Sequence, residues 1–460
     1  MRRFDVAVIG AGPAGCILAR RLAELGHSVA LIERAVFPRP HIGISLSPGV
    51  APLLAYLGLD EILRTVPHRR FCGRFIDWAD GGRMFRPEPA VAPSVTIDRG
   101  AFDMALTEAA TARGAILFQP ARLRAVSAQS PGWGLDIDTP AGPRRLSADI
   151  LADATGRIGV LPRRRRRIGP PLLALHAGFR GDAPDALPEI TAAADGWCWT
   201  TPLASGTHLA VAFTNPGDPG KRPVAERFAA LLGACALAGN VSYGPVAALD
   251  AGAWLDQNCI GTDFIKVGDC ALATDPVSAS GVQRSMQGAL TGAVVLNTML
   301  RRADQAGLAA SFYRQRQETI ADAHGVSIQT AYGEPGRFAA LPFWQKRGRT
   351  AVMPLPFPRL CLPPPEIRLR RSKTAVLTLL PGIMGDFVEL HPALSHPNLP
   401  EPVAFVANQP IVPLLESLPS ALSCAEIAAH LARDIGPRPG AEILQWLVSQ
   451  GVLEAVPADE

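Results

Sequence analysis

The chain opens with two apolar runs separated by a glycine-rich turn. The first run, Val6–Ile9, and the second, Val29–Ile32, are continuous in the way that buried parallel strands are. Gly10, Gly12 and Gly15 follow the first run, and a helix pattern begins at this turn. We therefore predict a strand, turn, helix and strand unit at the start of the chain.

Apolar and polar patterns divide the rest of the chain into further regions. Strand and helix patterns continue to residue 165, so we assign residues 1–165 to the first part of a nucleotide-binding domain. Short β-like runs such as His208–Thr214 predict an antiparallel substrate-binding sheet over 166–260, which also receives parts of 40–100. Helices over 282–302 and 309–331 return the segment 261–335 to the nucleotide-binding domain. Frequent prolines then predict a wrapping segment or linker over 336–390.

Residues 391–460 have the pattern of a small separate domain. In order, we predict a hairpin, two helices and a final strand, with the first three over Val403–Leu415, Ser423–Ala432 and Ala441–Gln450. Ser423 and Glu426 have the spacing of a capping box. The order resembles winged-helix modules with which enzymes that modify ribosomal peptides hold a precursor peptide. A packing or dimerisation role is the alternative.

Composition is typical of a cytoplasmic enzyme with a large core. The 460 residues are 48% hydrophobic and 19% charged, which is enough to form two or three domains. No apolar run is long enough to span a bilayer, and the apolar N-terminus is explained by the first strand. Eight cysteines without a CxxC pair and nine histidines without a metal-binding spacing predict reduced thiols and no metal site.

Positive charge is carried almost wholly by arginine. Only four of the 45 basic residues are lysines, and the first of them is Lys221. The run Arg163–Arg167 fits either a solvated loop or a docking patch for an acidic partner or a phosphate-bearing cofactor. Because this run is isolated and lacks interleaved aromatic residues, we expect no nucleic-acid partner.

The glycine-rich turn has the residues needed to bind an adenine dinucleotide. The segment Gly10, Gly12, Pro13, Ala14 and Gly15 lets a pyrophosphate approach the backbone at a helix N-terminus. Glu33 ends the second apolar run, where a carboxylate binds ribose hydroxyls, and Arg34 follows it.

Three further motifs resemble those of FAD-dependent aromatic hydroxylases and halogenases. They are Phe264–Ala289, Ile97–Leu106 and Ala152–Arg157, which read FIKVGDCALATDPVSASGVQRSMQGA, IDRGAFDMAL and ADATGR. The resemblance implies an α/β chain with a Rossmann-like FAD-binding domain of the GR2 type, an α+β substrate domain built on an antiparallel sheet, and the small C-terminal domain. It also implies FAD contacts from residues of these motifs, namely Arg99, Asp153, Gly268, Asp269, Pro276, Gly281 and Val282.

Two segments look like those of flavin-dependent tryptophan halogenases. They are FPRPHIGISLSPG at Phe37–Gly49 and GWCWTTP at Gly196–Pro202. The resemblance places Trp197 and Trp199 in the substrate pocket. A core aromatic ladder is the alternative, because both side chains would face the same side of a strand.

The residues that direct halide chemistry in such halogenases are replaced here. Arg69 and Arg70 stand where the family has a lysine, and Ser278 lies in a segment without the expected carboxylate. The resemblance therefore also places Arg70 and Ser278 in the substrate pocket. An arginine has no accessible neutral form and cannot replace the lysine. Oxygen activated at the flavin is then available to hydroxylate an aromatic ring directly.

Taken together, these features resemble the flavoprotein monooxygenases of tryptophylquinone biogenesis. That resemblance implies hydroxylation of a tryptophan side chain in a precursor polypeptide, with FAD, O2 and reducing equivalents from NAD(P)H or a partner flavin reductase. His41 or Asp275 would serve as base or anchor. Three alternatives stay open: a halogenase or hydroxylase of a small aromatic metabolite, a geranylgeranyl-reductase-like enzyme, and a non-catalytic FAD protein.

Overall fold

The computed structural model describes residues 2–39, 41–42, 44–88, 94–180, 186–217, 220, 222–233, 242–349, 362–419 and 421–456. These residues form two compact units, one within Met1–Ala351 and the other within Val352–Glu460.

The first unit contains the predicted nucleotide-binding sheet. Its strand order is Ile116–Phe118, Val29–Ile32, Arg2–Ile9, Gly142–Asp153, Trp133–Thr139 and Arg122–Ala128. Strand Phe264–Lys266 also pairs with Gly142–Asp153, and it does so in parallel. The first four strands of the order are parallel, and the two that follow are antiparallel. This is the Rossmann-like fold expected from the sequence, and the return of the chain near residue 264 completes it.

Helices pack against this sheet, and the first of them follows the glycine-rich turn. Helix Pro13–Glu24 follows strand Arg2–Ile9 and packs against helices Arg99–Thr111 and Gly281–Arg301. Helix Ala306–Gly333 packs on Gly281–Arg301, and both lie close to their predicted bounds. Two shorter helices lie on the nucleotide-binding side: Val50–Tyr56 contacts Gly281–Arg301, and Ile62–Thr65 contacts Arg99–Thr111. Helix Pro342–Gln345 packs into the core of a second sheet. Helix Val224–Leu232 covers one face of that sheet.

The second sheet of the first unit has seven strands. Their order is Ala247–Asp250, Leu173–Phe179, His208–Thr214, Gly196–Pro202, Glu189–Ala193, Gly73–Asp77 and Met84–Pro87. All neighbours are antiparallel except Glu189–Ala193 and Gly73–Asp77, which are parallel, as the long connection between them allows. One face packs against helix Val224–Leu232, with Phe228, Leu231 and Leu232 buried. The opposite face lines a cavity.

Two small sheets lie beside these large ones. One has the order Ser45–Leu46, Ser94–Ile97 and His68–Phe71; the other has Arg165–Arg167, Trp254–Asp256 and Leu272–Ala273. The arginine run is therefore partly a strand, and Arg165 stacks on the Trp254 ring with its guanidinium 4.0 Å from the ring centroid.

The second unit is a small α/β structure with its own core. Strands Arg368–Arg371, Leu422–Ser423 and Leu453–Ala455 form a sheet beside helices Cys424–Ile435 and Pro437–Ser449. The predicted capping box is present, since Ser423 and Glu426 exchange side-chain and backbone hydrogen bonds. Two hairpins complete it: Val376–Met384 with Phe387–Ser395, and Phe405–Val406 with Gln409–Pro410.

Two expectations for the C-terminal region differ from the structure. The hairpin predicted over Val403–Leu415 ends at Pro410, and Ile411–Ser417 is a helix because its apolar side chains bury at helical spacing. The predicted linker 336–390 contains strands of the second unit, since Arg368–Arg371 pairs with Leu453–Ala455. Composition alone does not reveal so distant a pairing. Residues 350–361 of that segment lie outside the described residues.

Within the described ranges, every helix is too short or too polar to cross a bilayer. The same residues contain no group of three or more histidine, cysteine, aspartate or glutamate side chains placed to hold a metal ion.

Candidate functional site

One large cavity of about 1540 Å³ runs through the first unit. Its volume exceeds the roughly 300–1000 Å³ of common small-molecule pockets, so it has room for a large cofactor together with part of a substrate. At one end it is lined by the glycine-rich turn, and at the other by the seven-stranded sheet.

The glycine-rich turn leaves a helix N-terminus open to the cavity. Gly10 has φ +102°, and a Cβ there would lie 2.6 Å from the Ala154 carbonyl oxygen. A Cβ on Gly15 would lie 1.8 Å from the Gly10 carbonyl oxygen, so this glycine sets the approach of helix to strand. At Gly12 the nearest heavy atom to a Cβ is 4.0 Å away, and helix Pro13–Glu24 has no side-chain cap. The exposed amides fit a pyrophosphate.

Glu33 is held beside this turn by backbone donors. Its carboxylate accepts hydrogen bonds from the Ala11 amide at 2.9 Å and the Ala35 amide at 2.8 Å. Arg39 lies 3.3 Å from the same carboxylate, which is 3% exposed. Glu33 and the neighbouring Arg34 both line the cavity, where ribose hydroxyls would meet a carboxylate of fixed orientation.

A second helix N-terminus faces the same cavity. Helix Gly281–Arg301 begins after Ser280 without a side-chain cap, and Gly281 and Val282 line the cavity together with Pro276. Anionic ring atoms of a reduced flavin are stabilised at such a position. Two uncapped helix N-termini in one cavity fit the two anionic parts of FAD, its pyrophosphate and its reduced ring.

The Gly-Asp pair lies between these two helix ends. Gly268 has φ +64°, and a Cβ there would approach the Ala14 Cβ to 2.8 Å. Asp269 lines the cavity and forms an ion pair with Arg157 at 3.3 Å. A carboxylate held in this way is placed to accept hydrogen bonds from ribityl hydroxyls.

Arg99 and His41 line the cavity between the nucleotide end and the substrate end. The Arg99 guanidinium is fixed by Asp103 at 2.7 Å. Desolvation by the surrounding wall, reinforced by the charge of Arg99, lowers the pKa of His41. Its imidazole is therefore neutral at pH 7 and can accept a proton.

Five predicted site residues do not line the cavity: Gly15, Arg70, Asp153, Asp275 and Ser278. Arg70 is exposed on strand His68–Phe71. Buried Asp153 accepts hydrogen bonds from the Thr155, Val160 and Leu161 amides and so holds the loop that follows its strand. Ser278 donates to the Asp275 carbonyl oxygen at 2.9 Å. Gly15, Asp153, Asp275 and Ser278 thus have supporting contacts, and the chain neighbours of all five residues line the cavity.

Asp275 is the centre of a buried hydrogen-bond network. The Tyr332 hydroxyl donates to its carboxylate at 3.1 Å and accepts from the Trp197 indole at 3.1 Å. The Asp275 amide donates to His324 Nε2 at 2.8 Å. Desolvation raises the pKa of Asp275 to about 6, although bonds from Val277 and Tyr332 partly oppose the shift. Desolvation lowers the pKa of His324 to about 4, so its ring is a neutral acceptor.

The substrate end is a wall made by one face of the seven-stranded sheet. We call it the sheet wall, and its side chains form three rows across the strands. The aromatic row consists of Ala174, Phe213 and Trp197, with Trp78 beside them. The middle row consists of His176, Val211, Trp199, Ile190, Ile76 and Met84. The arginine row consists of Leu209, Thr201, Pro188, Arg74 and Arg86. The wall thus changes from aromatic to cationic along the strand direction.

Trp197 and Trp199 share this wall but differ in packing. Trp197 is 3% exposed and stacks on Phe213 with ring centroids 4.0 Å apart, while Trp78 packs edge-on against it at 5.6 Å. Trp199 is only half-buried in the middle row. Trp197 thus belongs to an aromatic core, and Trp199 offers its ring to the cavity. Their role as substrate-pocket residues stays a prediction.

His176 is a wall residue that the sequence analysis missed. It lies at the end of the middle row, is half-buried, and has a pKa lowered by desolvation. The alternating pattern of Leu173–Phe179 could have placed it on the same face as Ala174.

No lysine of the described chain lines the cavity. Lys266 is 1% exposed and its ammonium group is held elsewhere, 2.8 Å from Asp256 and 2.7 Å from the Pro162 carbonyl oxygen. Lys221 lies outside the described residues.

Known sequences agree with a flavin site. The family described as FAD dependent oxidoreductase matches residues 5–41. A flavin-dependent halogenase of Armillaria mellea is 26% identical over 370 residues, 68% of this chain and 68% of that protein. A 1H-pyrrole-2-carbonyl-peptidyl-carrier-protein chlorinase of Pseudomonas fluorescens is 32% identical over 185 residues, 35% of this chain. Our chain spans only 41% of the chlorinase.

A solved structure matches almost the whole chain. It is the peptidyl tryptophan dihydroxylase QhpG, described as essential for tryptophylquinone cofactor biogenesis. The TM-score is 0.73 at 26% identity, and the match covers 98% of our chain and 99% of QhpG.

Proposed function

Because the chain belongs to the superfamily of FAD-dependent monooxygenases and flavin-dependent halogenases, we propose that it hydroxylates a tryptophan side chain of a precursor polypeptide in tryptophylquinone biogenesis. One observation carries the proposal: a single cavity joins the residues that suit FAD to a wall that contains Trp197 and Trp199. None of the described residues that line this cavity is a lysine. The match to QhpG supports the polypeptide substrate and the tryptophan target.

Residues of the chain would hold FAD at the nucleotide end. The Gly12 and Pro13 region would bind the pyrophosphate, Glu33 the ribose, Asp269 the ribityl chain, and the Gly281 helix end the flavin ring. Bound FAD, when reduced, supplies the means to activate O2 for transfer of one oxygen atom. Each oxygen inserted consumes one O2, two electrons and two protons and releases one water.

The sheet wall would orient the indole. Trp199 presents a half-buried ring in the middle row, and apolar Val211 and Ile190 flank it. Aromatic stacking and burial favour an indole there over water. The rigid Trp197 cluster behind this row limits how far a substrate ring can turn.

Two neutral imidazoles are placed to handle protons. His41 lies nearer the FAD end and His176 lies on the wall. Local desolvation together with the charge of Arg99 lowers the pKa of His41, whose side chain remains accessible, and desolvation lowers the pKa of half-buried His176. An imidazole nitrogen of either one can accept the proton that the ring carbon loses on hydroxylation. Asp275 is screened from the cavity, so we assign it a positioning role through Tyr332 and Trp197.

Electrons would come from NAD(P)H or from a partner flavin reductase. The sequence carries one dinucleotide fingerprint, and the FAD site uses it. A transient contact with a reductant is therefore part of the proposal.

Halogenation of a bound substrate is the second candidate, because the Armillaria and Pseudomonas relatives are named as a halogenase and a chlorinase. The absence of a lysine from the described cavity wall weighs against it.

Intact-mass spectrometry distinguishes these candidates. The holoenzyme is incubated with a candidate precursor polypeptide that contains tryptophan, a flavin reductase, NADH and O2, with and without bromide. We expect a gain of about 16 or 32 Da in both samples, from one or two hydroxylations. A bromine isotope pattern would favour the halogenase, and no oxygen insertion into any tryptophan polypeptide would refute the proposal.

A further inference from the structure

We propose that the polypeptide substrate carries an acidic side chain close to its target tryptophan, and that Arg74 and Arg86 bind this carboxylate. The inference deepens the proposed function and rests on it for the identity of the substrate as a tryptophan polypeptide.

The two arginines face the cavity from adjacent strands. Arg74 and Arg86 are direct partners in the antiparallel pair Gly73–Asp77 and Met84–Pro87. Both line the cavity, as do Ile76 and Met84, the next pair along the same face. The guanidinium groups therefore share the sheet wall with Trp199 and Trp197.

The charges at this pair are not balanced within the described chain. Arg74 reaches Glu88 at 3.1 Å, but its Nε is shielded from water and has no hydrogen-bond partner among the described residues. Arg86 is exposed and forms no ion pair with a described residue. Two like charges directly opposite each other in a sheet repel, and Glu88 supplies only one negative charge for the two guanidinium groups. A second carboxylate bound there would balance the remaining positive charge.

Other acids of the cavity lie away from the arginine row. Glu33 and Asp269 belong to the nucleotide end, and Asp250 belongs to the strand at the opposite edge of the sheet. Glu334 lies just beyond helix Ala306–Gly333, whose Tyr332 contacts the aromatic row. The wall thus has a local excess of positive charge at the arginine row.

The arginine row is accessible to a polypeptide. Strand Met84–Pro87 is the edge strand of the sheet, and all four of its residues are exposed. Arg74 lies one row and two strands from Trp199, and Arg86 lies one strand further away. Rows are about 7 Å apart and strands about 4.8 Å apart, so the backbone separations are about 12 Å and about 16 Å. An extended peptide covers these distances in about four or five residues, and the lengths of the arginine and aspartate side chains shorten the span to about two to four residues.

Peptide binding to the FAD-loaded enzyme tests this assignment. The peptides are fluorescein-labelled and end-blocked, and each contains one tryptophan. They are made in matched pairs that carry either Asp or Asn two, three or four positions from the tryptophan. Fluorescence anisotropy measures their binding. We expect the best Asp peptide to bind at least about tenfold more tightly than its Asn counterpart. Arg86→Gln should abolish this difference, Arg86→Lys should restore part of it, and Arg144→Gln, an exposed change on the nucleotide sheet, should leave it unchanged.

The inference would be overturned by equal affinity of the Asp and Asn peptides, by no measurable binding of either peptide, or by an Asp preference that survives in Arg86→Gln. Binding of pantetheine 4′-phosphate that depends on Arg86, without an Asp preference, would also overturn it and would indicate a carrier-protein arm. Mass spectrometry of the same peptides separates the two proposals, because an Asp preference without oxygen insertion refutes only the proposed function.

Discussion

The Trp197 indole nitrogen donates a hydrogen bond to the Tyr332 hydroxyl at 3.1 Å, across 135 residues of sequence. Tyr332 donates in turn to Asp275, which precedes the helix end at Gly281. All three side chains are buried. The aromatic row of the sheet wall is therefore connected by hydrogen bonds to the segment that approaches the flavin position.

Tyr332→Phe should lower the free energy of unfolding by about 1–3 kcal/mol, because the buried Trp197 N–H loses its acceptor. The variant should also raise the pKa of Asp275 further, since the Tyr332 hydrogen bond lowers it. Urea unfolding measures the first effect. Tyr243→Phe is the matched control, and an equal loss in both variants would contradict the network.

Trp197→Ala and Trp199→Ala should separate stability from substrate binding. Trp197 is buried against Phe213, so its truncation should cost about 3–5 kcal/mol of unfolding free energy. Trp199 is half-buried, so its truncation should cost less and instead raise KM for the polypeptide. Urea unfolding and initial rates of oxygen insertion provide the two measurements. The reverse order of effects would show that Trp199 is the structural residue.

Asp275→Asn should change the pH dependence of stability. Folding raises the pKa of Asp275 from 3.8 to about 6, so the folded state holds its proton more tightly than the unfolded state. That contribution is complete below about pH 3 and is lost as pH rises through about 6. Wild type should therefore lose about 3 kcal/mol relative to Asp275→Asn between about pH 3 and about pH 7. Urea unfolding at several pH values measures the difference.

His324→Gln should show the opposite slope and serves as the comparison. Folding lowers the pKa of His324 from 6.5 to about 4, because its ring is buried. Wild type should therefore lose stability relative to His324→Gln as pH falls from about 6.5 to 4. If the unfolding free energies of Asp275→Asn and His324→Gln changed with pH in the same way, neither Asp275 nor His324 would titrate between about pH 4 and about pH 7.

Gly12→Ala should abolish FAD binding without unfolding the protein. A Cβ at Gly12 meets no heavy atom closer than 4.0 Å, but it projects into the place assigned to the pyrophosphate. Gly10→Ala differs, because φ +102° and a 2.6 Å approach to the Ala154 carbonyl oxygen strain the backbone itself. We expect a colourless but stable Gly12→Ala protein and a destabilised Gly10→Ala protein. Flavin absorbance and unfolding of the FAD-free protein measure these outcomes, and a yellow Gly12→Ala protein would contradict the site.

The nucleotide end could be predicted from sequence because its signals are local. The run Val6–Ile9, the glycines after it and Glu33 lie within one strand, turn and helix unit, so backbone conformation and spacing alone place them together. The capping box at Ser423 and Glu426 is local in the same way.

Distant pairings explain what the sequence missed. Arg70 was expected in the substrate pocket, but it is exposed on strand His68–Phe71. The next residue, Phe71, lines the cavity instead, because successive side chains of a strand point to opposite faces. The helix at Ile411–Ser417 depends on burial in a core built from several elements. The positions of His176 and of the Arg74–Arg86 pair on the cavity wall follow from the order of strands in the sheet, which no local sequence pattern reveals.

Short-range patterns in the chain thus suffice to identify the FAD-binding framework, since glycine geometry and strand hydrophobicity act over a few residues. The character of the sheet wall arises differently. Its rows come from six strands between residues 73 and 214, and their register is set by side-chain packing on both faces of the sheet rather than by any single segment.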